Sequence, residues 1–209
     1  AEYHLRTSVY ENGSARPARS IAAAGRYLRQ ARGVSASRVS YWSYANGYVP
    51  VSPEGETALE LIEREVARQP EDAALFAARA LYLLARNHSS KPQRSDALGA
   101  ADAAMHAVDL MPDVASFLAL AADASIEAGD FAEAEALARR ALSVDARCSY
   151  AIFQQARLAA REGNVDLVLA LLHLSGRPDV FGEGGYTFKR DPCFATVRDD
   201  PRFRDYLAR

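Results

Sequence analysis

The chain has 209 residues, 49% of them hydrophobic, enough for one mid-sized domain or a short array with a substantial core. Lys and Arg number 25 against 27 Asp and Glu, a formal net charge of -2, so no global positive field draws the chain to nucleic acid or anionic lipid. No run approaches the ~18 apolar residues that a membrane span requires. The start at Ala1, with neither an initiator Met nor a signal-peptide pattern, is expected to reflect trimming or processing.

In chain order, Tyr3, Leu5, Ser8 and Val9 alternate imperfectly before the turn dipeptide Asn12-Gly13, which predicts a short strand. A lone strand needs a hairpin return, a partner chain or a preceding domain to pair with. Residues 19–30 read as a helix with Ile21, Ala24 and Leu28 on one face, stopped at Gly33. Tyr41, Trp42, Tyr44 and Tyr48 then cluster, either as an aromatic contact surface or as the core face of an early helix. Ser52 and Pro53 suit the N-cap and first position of the next helix, which runs to Gln69-Pro70.

A further amphipathic helix is expected over Leu75 to Arg86, and its partner from near Asp96. The stretch Asn87 to Ser95 between them makes Ala73 to Ala100 about eight residues longer than the matching interval Ala115 to Ala134. This insertion carries His88, Lys91 and Arg94 and reads either as a binding loop or as a solvated connection. Residues 115–146 give the clearest unit: a helix, the turn Gly129-Asp130-Phe131, then a second helix. A step of 34 residues from Gly129 lands on Gly163 in a second pattern of the same register.

Leu118, Ala122, the Gly129 turn, Ala134 and Ala141 fall where the tetratricopeptide (TPR) repeat family has its large and small signature residues, and the chain resembles that family. Ala100 and Ala107 with Met111-Pro112, and Ala58 with Gln69-Pro70, carry the pattern backwards, although Glu65 stands where the family prefers Ala. The resemblance implies an all-α fold, a superhelical array of antiparallel helix pairs over residues 39–176. Residues 1–38 precede it, with the strand and helix of what reads as the remnant of another domain, and residues 177–209 form a capping tail.

In that tail Asp191-Pro192-Cys193-Phe194 and Asp200-Pro201-Arg202-Phe203 repeat one grammar nine residues apart, each Asp suited to cap a turn that begins with Pro. The Gly-rich stretch at 182–185 lacks the Lys-Ser/Thr ending of a phosphate loop. The ending Arg198-Asp199-Asp200-Pro201-Arg202-Phe203 is similar to the tails of TPR regions in multidomain bacterial signalling proteins, among them winged-helix transcriptional regulators and class III adenylate cyclases.

Catalysis has little support. The four histidines, His4, His88, His106 and His173, show no metal-ligand spacing, and no nucleophile elbow is present, so no enzyme activity, cofactor or metal is expected. Cys148 and Cys193 read either as a bridge pinning the tail or as two buried thiols. The resemblance places a partner-binding groove on the first helices, with Leu81 from one unit, Asp123 and Glu127 from the next, and Phe153, Gln154, Arg157 and Arg161 from the last. Arg157 and Arg161, one turn apart, are expected to grip a carboxylate of an extended peptide.

The family implies a non-enzymatic interaction domain of a bacterial regulatory protein, in the cytoplasm or periplasm. Its partner would be a protein, a peptide or another domain of the same polypeptide. A small-molecule sensor with a groove lined by Trp42, Tyr82 and Phe153, coupled to an output domain, and a homodimerisation module are the alternatives.

Overall fold

The computed structural model describes residues 58–87, 93–175, 188 and 191–208. The expected strand at 3–9, the helix at 19–30, the aromatic cluster at 41–48, the helix start at Ser52-Pro53, most of the insertion and the Gly-rich stretch lie outside the described residues.

Within them the fold is all-α. Seven helices follow one another: α1 (Ala58–Arg68), α2 (Ala73–Asn87), α3 (Arg94–Leu110), α4 (Ala115–Ala128), α5 (Phe131–Val144), α6 (Ser149–Arg161) and α7 (Val165–Ser175). A 3-10 turn (Pro192–Phe194) and a short α8 (Pro201–Leu207) form the tail, and no strand occurs among the described residues.

The helices pack as pairs, α2 on α3, α4 on α5 and α6 on α7, and successive pairs stack. The first helices of the pairs also meet one another, α2 against α4 and α4 against α6. Alanine makes this close approach feasible. Ala100, Ala107, Ala122, Ala134 and Ala141 are all fully buried, and a larger side chain at any of them would hold two helices apart. Glu65 avoids that conflict because its side chain stays partly exposed on α1, where it pairs with Arg68 at 3.1 Å.

Local chemistry repeats with the 34-residue step. Gly129 and Gly163 both adopt positive φ, +88° and +74°. In each turn the residue after the glycine donates its N–H five residues back, Asp130 to the Ser125 carbonyl and Asn164 to the Ala159 carbonyl. The glycine itself donates three back, to Ile126 and Ala160. This closes the orphan carbonyls of the finishing helix. The side chains of Asp130 and Asn164 then accept from the N–H groups of Glu133 and Leu167, both at 3.1 Å, and so start the second helix of each pair.

The pair α2/α3 is joined differently. Arg86 near the end of α2 donates from Nε and Nη2 to both carboxylate oxygens of Asp96 in the first turn of α3, at 2.8 and 2.5 Å. That two-point clasp ties the helix ends on either side of the insertion. The second helix begins at Arg94, slightly before the expected Asp96.

Candidate functional site

Four of the expected groove residues, Asp123, Glu127, Gln154 and Arg157, converge, but largely in the interior. Arg157 is 3% exposed on α6, and its guanidinium is shared among three carboxyl groups. Nη1 donates to Asp123 Oδ1 at 2.6 Å, Nη2 to Glu127 Oε1 at 2.5 Å and Nε to Asp191 Oδ2 at 2.7 Å. Nη1 also donates to Gln154 Oε1 at 3.1 Å. Asp123 and Glu127 stand one turn apart on α4, and Asp191 belongs to the tail.

Neutral donors complete the cluster. The Tyr150 hydroxyl donates to Asp123 Oδ2 at 2.5 Å, and Asn87 Nδ2 at the end of α2 donates to Glu127 Oε2 at 3.1 Å. Burial alone would lower the Arg157 pKa, but the carboxylates of Asp191, Glu127 and Asp123 outweigh it and hold the value well above normal. The cluster therefore carries a permanent buried cation that joins α4, α6 and the tail.

The tail covers this face by the expected capping grammar. Asp191 Oδ1 accepts from the Cys193 N–H at 2.9 Å, and Asp200 Oδ1 from the Arg202 N–H at 2.8 Å, each ahead of a Pro. The first copy forms a single 3-10 turn and the second a short α-helix. Phe194 and Phe203 are both fully buried and stack at 5.7 Å with ring planes 13° apart. Phe188 meets both rings edge-on, and Phe153 of α6 completes the aromatic layer.

Further contacts fix the tail along α6 and α7. The Thr196 hydroxyl donates to the Ala160 carbonyl, and the Tyr206 hydroxyl to the Leu172 carbonyl at 3.3 Å. Arg202 pairs with Asp166 of α7 at 2.5 Å, and Arg198 donates to the carbonyls of Phe188 and Asp191.

Several expectations need correction. Asp123, Phe153, Gln154 and Arg157 are buried rather than displayed on an open groove, and Leu81 is a core residue of α2. The first helices are alanine-rich, so they approach one another closely, and the tail closes over α6. Arg157 and Arg161 do not form one clamp: Arg161 is exposed and lays its guanidinium over the Phe131 ring, 3.4 Å from the centroid. Glu127 alone of the carboxyl trio keeps an edge accessible, at 13%. Of the aromatic residues expected to line a small-molecule groove, Trp42 lies outside the described residues and Phe153 is covered by Phe188 and Phe194.

The reading from sequence missed Tyr150 and Asn87, and it treated Asp191 only as a cap. Tyr150, Gln154 and Arg157 fall at i, i+4 and i+7 on α6, a polar stripe among the alanines and large apolar residues of its buried side that signals a buried network. No comparable signal ties Asn87 to Glu127, 40 residues apart.

Both cysteines are buried free thiols. Burial pushes Cys148 up, and it pushes Cys193 up to about 12, against the opposing pull of Arg157. Among the described residues no group of His, Cys, Asp and Glu is placed to hold a metal ion, and no helix is long and apolar enough to cross a membrane.

The class that this geometry defines is an all-α array of stacked helix pairs whose last pair is covered by the C-terminal segment. No family model matches the chain, and no curated protein matches it.

Proposed function

We propose that this chain is a TPR-type interaction domain without catalytic activity, part of a bacterial regulatory or signalling protein. Its first-helix face engages an extended segment of a protein partner, or of another domain of the same polypeptide. One observation supports the reading: α6 already holds a short segment of the chain's own tail, a 3-10 turn anchored by the Arg157 to Asp191 pair and the burial of Phe194. A carboxylate gripped by a preorganised guanidinium, beside an aromatic anchor in an apolar seat, is the chemistry by which peptides are captured.

A photoreactive residue in place of Arg161 at the end of α6 tests it in cells, with Arg139 on the outer helix α5 as control; both positions are exposed. A discrete adduct from position 161 and none from 139 is expected, and the reverse pattern overturns the reading. Homodimerisation is the second reading, favoured by Leu167 and Leu174 on α7, which remain 44% and 72% exposed. Adducts of the chain with itself alone would replace the first reading by the second.

A further inference from the structure

Asp191-Pro192-Cys193-Phe194 is held in its seat by contacts of different kinds. Asp191 Oδ2 meets Arg157 Nε at 2.7 Å, while its Oδ1 caps the turn at the Cys193 N–H. Pro192 fixes the first position of the turn, and Phe194 enters the apolar layer against Phe153, with centroids 6.1 Å apart. The receiving groups Arg157 and Phe153 belong to α6, and the Phe194 ring also meets Phe188 and Phe203 of the tail itself, so the seat reads the segment through its carboxyl group and its ring. Covalent attachment of the segment adds no contact to this recognition.

The second copy of the same grammar shows what the seat selects. Asp200 makes the same cap, but its carboxylate answers to Arg202, and its ring, Phe203, stacks behind Phe194. Only the segment whose carboxylate reaches Arg157 occupies the seat.

The seat is also poised for exchange. Arg157 already holds Asp123 and Glu127, so Asp191 enters as a third carboxyl group around one cation. Repulsion among the carboxylates offsets part of its attraction to the guanidinium. Departure of the tail leaves Arg157 paired twice, rather than as an uncompensated buried charge.

We infer that this face of α4 and α6 is a docking site for a foreign polypeptide segment of the form acidic residue, proline, any residue, phenylalanine, which the chain's own tail occupies until such a partner displaces it. The inference rests on the interaction-domain reading and adds to it the chemistry of the partner and a built-in competitor. Attachment gives the tail an effective concentration of millimolar order, so a foreign segment wins when it is tethered nearby or carries additional contacts.

The test uses the full chain and a fluorescent peptide of residues 188–203 with Cys193→Ser. Asp191→Asn with Phe194→Ala in the chain removes the tail's own carboxylate and ring from the seat and leaves Arg157 with Asp123 and Glu127. The peptide is expected to bind this variant at least about tenfold more tightly than the wild type, where the attached tail competes. A peptide with Asp191→Asn is expected to lose about tenfold on the same variant, since the charge-assisted contact to Arg157 is gone. Absence of binding to the folded variant, or binding indifferent to the peptide carboxylate, overturns the inference.

Should the variant fail to fold, the wild-type chain carries the same test through its two thiols. Cys193 sits in the tail and Cys148 at the start of α6 in the array, and both are buried. Under native conditions a thiol reagent is expected to reach Cys193 faster than Cys148, and excess peptide to accelerate Cys193 alone by holding the tail out. Equal rates for the two thiols, reporting one global opening, overturn the inference. Mixed dimers that need Arg157 in one copy and Asp191 in the other would assign the seat to a second copy and overturn the foreign segment. Any of these failures, with the discrete adduct from position 161 intact, leaves the interaction-domain reading standing.

Discussion

A guanidinium taken out of water is tolerated only where it is paired, and each nitrogen of Arg157 has a partner, from carboxyl groups of α4 and the tail and from Gln154 on α6. Removing it strands carboxyl groups that are themselves 4% and 7% exposed, at Asp123 and Asp191. Arg157→Leu is therefore expected to lower stability by about 3–5 kcal/mol in urea unfolding. Asp191→Asn should cost far less, about 1 kcal/mol, because Arg157 keeps its other two carboxylates and an Asn oxygen still caps the Cys193 N–H. Equal losses for the two variants would show that the tail, not the cluster on α4 and α6, holds the arginine in place. Cys193 supplies a second residue-scale test. The folded thiol keeps its proton up to about 12, against an ordinary value of 9.0, so the folded state binds the proton more tightly than the unfolded one. This contribution is complete below 9.0 and is lost as the pH rises towards 12. Cys193→Ala should make the decline of stability between those pH values shallower than in the wild type. Parallel profiles of the two proteins would mean that the thiol reaches solvent in the folded state.

At the scale of the elements, most of the architecture was legible because helix ends are written in local chemistry. Gly129-Asp130 and Gly163-Asn164 each combine a residue that tolerates positive φ with one that caps the next helix, so the 34-residue step could be read before any contact was known. A Cβ added to either glycine meets no atom within 4 Å, so the cost of substitution is backbone conformation alone. Gly129→Ala and Gly163→Ala should each lose about 1 kcal/mol, and Asn at the same positions should lose less, because Asn enters the left-handed region more readily. A difference of several kcal/mol between the two alanine variants in thermal unfolding would break this equivalence of the turns. What local chemistry could not convey was which face of a helix remains open. Leu81, Asp123 and Arg157 sit where the resemblance implied a groove, yet the alanines around them let the helices approach so closely that these side chains enter the interior. The stacking of Arg161 on Phe131 was equally hidden, since it depends on a ring offered by the neighbouring helix.

For the whole molecule, the question is what ends the stack. A helix pair at the end of an array has an apolar face with no neighbour, and here the tail supplies one: Phe194 and Phe203 close over α6, and Tyr206 reaches the last turns of α7. The Asp-Pro grammar announced two turns and two inward aromatic residues; that Asp191 would also reach Arg157, 34 residues away, depended on tertiary packing alone. A chain ending at Ser175 would uncover Phe153, Val168 and Leu172, all at or below 2% exposure with the tail in place. Burying a side chain of that size is worth about 1.5–3 kcal/mol, so the shortened chain should find other cover, by self-association. Light scattering over a concentration series is expected to give a mass that rises for the shortened chain at concentrations where the mass of the full chain stays constant. A shortened chain that stays monomeric and keeps the unfolding midpoint of the full chain would mean that α6 and α7 need no lid. The aromatic layer of Phe188, Phe194 and Phe203 would then stand only as the ligand side of the Arg157 seat. Association that disappears when the peptide of residues 188–203 is added back would instead show that cover and ligand are one segment serving both roles.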